Sequence, residues 1–119
     1  MKDGFVRVGC ASFDMKLGNV KANADQIIKY AHKASEEHIK ILLFPELCLT
    51  GYTIEDLFYQ KRVLNEVTQQ LEHILDATYE LDLFMVIGAP FIHMNKLYNC
   101  AIALFGGEIL GVIPKTYIP

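Results

Sequence analysis

Cysteine is scarce and odd in number: Cys10, Cys48 and Cys100 are the only three. Three widely spaced thiols do not make a disulfide framework. No CxxC or HExxH pattern occurs, so no metal site is expected. Positive charge is also short. Eleven Lys and Arg against fourteen Asp and Glu leave a net charge of −3, which gives no footprint for nucleic acid. No apolar run approaches the roughly 20 residues that span a bilayer. Met1–Gly4 leads into an alternating strand pattern rather than the apolar core of a secretory signal. The expectation is a soluble cytoplasmic protein with neither membrane nor nucleic-acid partners. Repeats, linkers and low-complexity segments are missing too. What is present is 52% hydrophobic and 21% charged residues in 119 positions, enough for one ordinary globular core.

Phe5, Val6, Val8, Cys10 and Ala11 read as a first strand interrupted by Arg7. Ser12–Gly18 is a connector, and Asn19 can cap a helix over Val20–His38. The apolar positions Val20, Ala24, Ile27, Ile28, Ala31 and Ala34 keep the helical period. Ile41–Phe44 is a short buried strand, so the opening reads as a βαβ unit. Thr53–Tyr59 reads as a loop with a short helical turn. A long helix follows over Gln60–Leu81, with Leu64, Val67, Leu71, Ile74, Leu75, Thr78 and Leu81 as its stripe. Phe84–Ala89 is a third strand, Pro90–Lys96 a connection, Leu97–Phe105 a fourth strand and Glu108–Ile113 a fifth. Gly106 and Gly107 signal a hairpin between the last two. Pro114 is expected to end the fifth strand and deliver Lys115 at its carboxyl end. Cys10 and Cys100, inside strands, are expected to be buried structural thiols. His32, His38, His73 and His93 are scattered and read as surface or cap residues.

The stretch with most chemical interest is Ile41–Tyr52, ILLFPELCLTGY. An apolar strand runs into Pro45, which cannot continue it. Glu46 follows, just beyond a strand's carboxyl end, where open α/β sheets place their sites. A carboxylate among apolar neighbours has a destabilised charged form and can act as a general base. Taken alone, a glutamate after a strand is more simply a solvated loop residue or a helix cap, and Lys115 a solvated lysine after an edge strand. Their company decides otherwise. PELCLTGY resembles the glutamate motif of the nitrilase, or carbon–nitrogen hydrolase, superfamily, and GVIPKTY (111–117) resembles its lysine motif. TGYTIEDLF (50–58) and KLYNCA (96–101) are similar to the glutaminase domains of glutamine-dependent NAD synthetases. The resemblance runs from Phe5 to Pro119.

That resemblance implies an α/β fold, the first half of a nitrilase-like α-β-β-α sandwich, with residues 1–119 forming part of a carbon–nitrogen hydrolase domain. It implies a catalytic Glu, Lys, Cys set with Glu46 as base and Lys115 stabilising the tetrahedral intermediate. The cysteine of that set belongs to a third motif that follows the lysine and has no match in these 119 residues, so the chain by itself is expected to be inactive. Cys48, two residues past Glu46, is therefore not taken as the nucleophile. Tyr52 resembles a position lining the glutamine pocket and can equally be a packing tyrosine. Asn99, in an apolar run, is expected to be a structural hydrogen-bonder. The implied substrate is glutamine, with deamido-NAD as the acceptor of ammonia in the whole enzyme. No cofactor is expected in this chain. ATP and Mg would serve a separate synthetase domain, whose phosphate-binding loop is not in this sequence. Half a sandwich also predicts an uncovered apolar sheet face, and hence a homo-oligomer. Two alternatives stay open: another carbon–nitrogen hydrolase, acting on an amide, nitrile or ureido acid, or a non-catalytic α/β binding module. If Glu46 and Lys115 share a site, they should meet at one sheet edge within about 6 Å.

Overall fold

A computed structural model describes residues 6–16, 19–45, 48–50, 57–94 and 96–118, with 57–61, 63 and 116–118 described by their backbone alone. The elements run β1 (Val8–Cys10), α1 (Val20–Glu36), β2 (Ile41–Leu43), α2 (Leu57–Thr78), β3 (Phe84–His93), β4 (Lys96–Phe105) and β5 (Glu108–Ile118). They form one mixed sheet in the order β1-β2-β3-β4-β5. β1, β2 and β3 are parallel, as helical crossovers require, and β3, β4 and β5 form an antiparallel meander.

The helix α1 starts where Asn19 accepts a hydrogen bond from the Ala22 amide at 3.1 Å. Its buried side consists of Val20, Asn23, Ala24, Ile27, Ala31 and Ala34, the expected stripe with Asn23 added and Ile28 only partly buried. It stops two residues short of the expected end because His38 takes φ 62°. The Ile39 amide then reaches the Ala34 carbonyl at 3.0 Å and the His38 amide reaches that of Ser35 at 3.1 Å. This is a Schellman cap with histidine at the position that favours glycine. The helix α2 buries Val67, Leu71, Ile74 and Thr78 and ends at Thr78 rather than Leu81. There the Thr78 hydroxyl donates to the Ile74 carbonyl at 2.7 Å. These residues join Leu42, Met85, Ile87, Ile102 and Leu104 of the sheet in one core.

Two strands outrun their sequence limits, and both do so through a proline. β3 continues past Ala89 through Pro90 to His93, so the expected connection over 90–96 is mostly strand. Beyond Val86 this strand has no β2 residue beside it, and Gly88, two residues before Pro90, turns both its amide and its carbonyl towards the loop after β2. By strand alternation Pro90's nitrogen points the same way, and no ladder bond is lost. β5 likewise passes through Pro114 to Ile118. Pro114 lies opposite Cys100 and Thr116 opposite Asn99, which leaves Lys115 as the extra residue of a β-bulge. Pro114 therefore does not end the strand. Prolines and bulges are tolerated on such a strand, which has a partner on one side only.

Among the described residues, no layer covers the apolar face of the sheet away from the helices. By register it carries Val8, Cys10, Leu43, Val86, Ala101, Ala103 and Ile113. Val8 is 57% exposed and Ile113 61%. Cys10 is exposed for the same reason, contrary to the expectation of a buried thiol. Among the described residues no helix is long and apolar enough to cross a membrane.

Candidate active site

The segment after β2 is tied to β3 and to α1. Phe44 extends the strand by donating its amide to the Val86 carbonyl at 2.9 Å. Pro45 then turns the chain, and the Cys48 amide closes the turn on the Pro45 carbonyl at 3.2 Å. The Leu49 amide donates to the Gly88 carbonyl at 3.1 Å, and the Leu49 carbonyl accepts from the Asn23 amide group at 3.0 Å. Cys48, Leu49 and Thr50 are all buried. Glu46 and Tyr52 lie outside the described residues.

Lys115 comes to the same place from the far side of the sheet. The bulge puts it level with Asn99 and Cys100 on β4, and bulges re-aim side chains in this way. Its side chain is exposed. A cavity of about 60 Å³ is lined by Phe44, Pro45, Gly88, Asn99 and Ala101 together with Lys115. The residue next to Glu46, just past the end of β2, and the predicted lysine, at the bulge within β5, thus border one small space. The Glu46 to Lys115 distance falls outside the described residues. Asn99, in the cavity wall, is 4% exposed.

Cys48 has the wrong environment for a nucleophile. Its Sγ accepts from the Gly88 amide at 3.3 Å and donates to the Gly88 carbonyl at 3.7 Å. Burial pushes its thiol from 9.0 up to about 12, outweighing the opposing backbone hydrogen bonds. A thiol so raised holds almost no thiolate near neutral pH. Cys48 in this geometry is a packing and hydrogen-bonding residue that ties the turn to Gly88. The histidines also sit in structural places. His38 caps α1, His73 lies 3.7 Å from Asp25, and His32 bridges the helices through the Ala77 carbonyl at 2.9 Å. Among the described residues no cluster of His, Cys, Asp or Glu could hold a metal ion. The residue that sequence reasoning passed over is Asn23. Its signal was a polar side chain three residues after Val20, on the apolar side of α1.

This arrangement, an α/β sheet whose strand-end turn and bulge lysine border one cavity, has clear relatives. Residues 7–118 match the carbon–nitrogen hydrolase family, and the chain belongs to it. Within that family it is similar to glutamine-dependent NAD(+) synthetases. It is 35% identical to that of Mycobacterium bovis over 116 residues, covering 98% of this chain and 17% of the relative. It is 33% identical to that of Aquifex aeolicus over 109 residues, covering 92% of this chain and 19% of the relative. The crystal structure of the Cytophaga hutchinsonii synthetase superimposes with a TM-score of 0.83 at 26% identity, over 96% of this chain and 19% of that one. An amidase of the nitrilase superfamily from Nesterenkonia superimposes with a TM-score of 0.75 at 22% identity, over 96% of this chain and 45% of that one, and shares the fold. The chain spans about a fifth of the length of the synthetases it matches.

Proposed function

We propose that residues 1–119 are the first part of the glutaminase domain of a glutamine-dependent NAD synthetase, which releases ammonia for the ATP-dependent amidation of deamido-NAD. The observation that carries the reading is similarity to such synthetases along 98% of the chain. The shared cavity of Pro45 and Lys115 supports one site at this sheet edge. In this reading Glu46 takes the proton of a cysteine thiol supplied from outside these residues. The sulfur attacks the side-chain amide carbon of glutamine, and Lys115 favours the negative charge that develops on the carbonyl oxygen. The C–N bond breaks as Glu46 returns the proton to nitrogen, and ammonia leaves a thioester. Water then attacks the thioester, with Glu46 as base, and releases glutamate and the thiol. Tyr52 would line the glutamine pocket. ATP and Mg belong to a different domain, and no step here runs through them.

The uncovered apolar face fits the same reading, since a second sheet of the α-β-β-α sandwich would cover it. Assembly as a homo-oligomer in the cytoplasm also belongs to it. The test is ammonia release from glutamine by the full-length protein, beside amidation of deamido-NAD with free ammonia. Both activities are expected in the unaltered enzyme. Glu46→Gln should lose the first and keep the second. A full-length protein unable to use glutamine would overturn the reading.

A further inference from the structure

Asn23 is the one fully buried polar side chain on the core face of α1, with 0% exposure. Asparagine is a poor residue inside a helix and costs free energy when buried without partners. Here three of its four hydrogen-bonding positions are used. Its Oδ1 accepts from the Lys16 amide at 2.7 Å. Its Nδ2 donates to the Lys16 carbonyl at 2.8 Å and to the Leu49 carbonyl at 3.0 Å. One side chain therefore joins the connector before α1 to the turn after β2, 26 residues away. Leu49 is held on both sides, by its amide to Gly88 on β3 and by its carbonyl to Asn23 on α1. Directly before Leu49 the Cys48 amide closes its turn on the Pro45 carbonyl. The sheet-side anchors are backbone and thiol contacts. On the helix side, the Leu49 carbonyl is held by a replaceable side-chain amide.

We infer that Asn23 is a positioning residue, which fixes the turn closed between Pro45 and Cys48 against the cavity that Pro45 shares with Lys115. This rests on the functional reading above. Without the Asn23 amide, the buried Leu49 carbonyl loses that partner and the turn loses this tie to α1. Displacement of a reacting group by an ångström can cost on the order of a hundredfold in rate.

The experiment uses the full-length protein with Asn23→Ala, the isosteric Asn23→Asp, and Ile27→Val as a control in the same buried helix face. Asn23→Asp keeps the acceptor for Lys16 but loses the donors, and serves if the alanine variant does not fold. Ammonia release from glutamine is followed against pH, and amide exchange is followed at Leu49. The expected result for the Asn23 variants is a fall of about ten- to a hundredfold in kcat, a moved acidic limb of the rate profile and faster exchange at Leu49. Ile27→Val should move neither limb nor exchange, because a lost folded fraction lowers the whole profile without shifting it. Unchanged rate and limb in folded Asn23→Ala or Asn23→Asp would overturn the inference. An unaltered protein that releases no ammonia from glutamine would overturn the functional reading and the catalytic part of this one, while exchange at Leu49 would still decide whether Asn23 anchors the turn.

Discussion

Cys48 should be the least reactive thiol in the folded chain, although it lies two residues from the proposed base. Two effects act together. Burial raises its thiol from 9.0 to about 12, and a shift of that size lowers the thiolate population near neutral pH by roughly a thousandfold. The sulfur also has 0% exposure, so a reagent must wait for the turn to open. The measurement is iodoacetamide labelling of the 119-residue chain at pH 8, with peptide mass spectrometry resolving the three cysteines. Labelling of Cys48 in the folded chain should be at least about a thousandfold slower than in denaturant, while the exposed Cys10 reacts readily. Comparable rates in folded and denatured chain would refute the reasoning. So would labelling of Cys48 that keeps pace with Cys10, and it would also reopen Cys48 as a nucleophile.

The same thiol makes stability depend on pH. Because its folded value lies above its unfolded one, its contribution is complete below pH 9 and declines as pH rises towards about 12, by at most about 1.4 kcal/mol per pH unit. Urea melts across that window should show the decline, and Cys48→Ser should reduce it. His38→Gly should stabilise the fold by about 0.5–1 kcal/mol, because glycine takes the left-handed cap conformation without penalty; a lower urea midpoint would contradict the cap. At the β4–β5 turn, Gly106→Ala and Gly107→Ala should differ. Both have positive φ, but a Cβ at Gly107 would meet the Tyr79 Cβ at 2.6 Å, while one at Gly106 meets nothing within 4 Å. We expect about 1 kcal/mol of destabilisation at Gly106 and 2 kcal/mol or more at Gly107, and equal melting midpoints would count against it.

Much of this fold is legible in local pattern. The stripe from Val20 to Ala34 and that from Val67 to Thr78 declare two helices, and Gly106–Gly107 declares the last hairpin. Strand limits are less legible where prolines intervene. Whether Pro90 or Pro114 ends a strand depends on whether its missing N–H would have faced a neighbour, and that depends on which strands lie beside it. The bulge at Lys115 was hidden for the same reason, since only pairing with β4 reveals an extra residue. The site was legible in part. Lys115 and the turn at Pro45 stood out by resemblance to known motifs, whereas Asn23 acts through a carbonyl 26 residues away and has no local signature. The exposure of Cys10 follows from a sheet face that no described layer covers.

The central claim is that Glu46 and Lys115 work as one site in glutamine hydrolysis, and a double-mutant cycle tests it most directly. In the full-length protein, ammonia release from glutamine would be measured for Glu46→Gln, Lys115→Ala and the double variant. Members of one catalytic set are strongly non-additive. Each single variant should therefore lose about a thousandfold or more, and the double variant should be little worse than either. Losses that simply multiply, or a Lys115→Ala enzyme that still releases ammonia at the unaltered rate, would contradict the account.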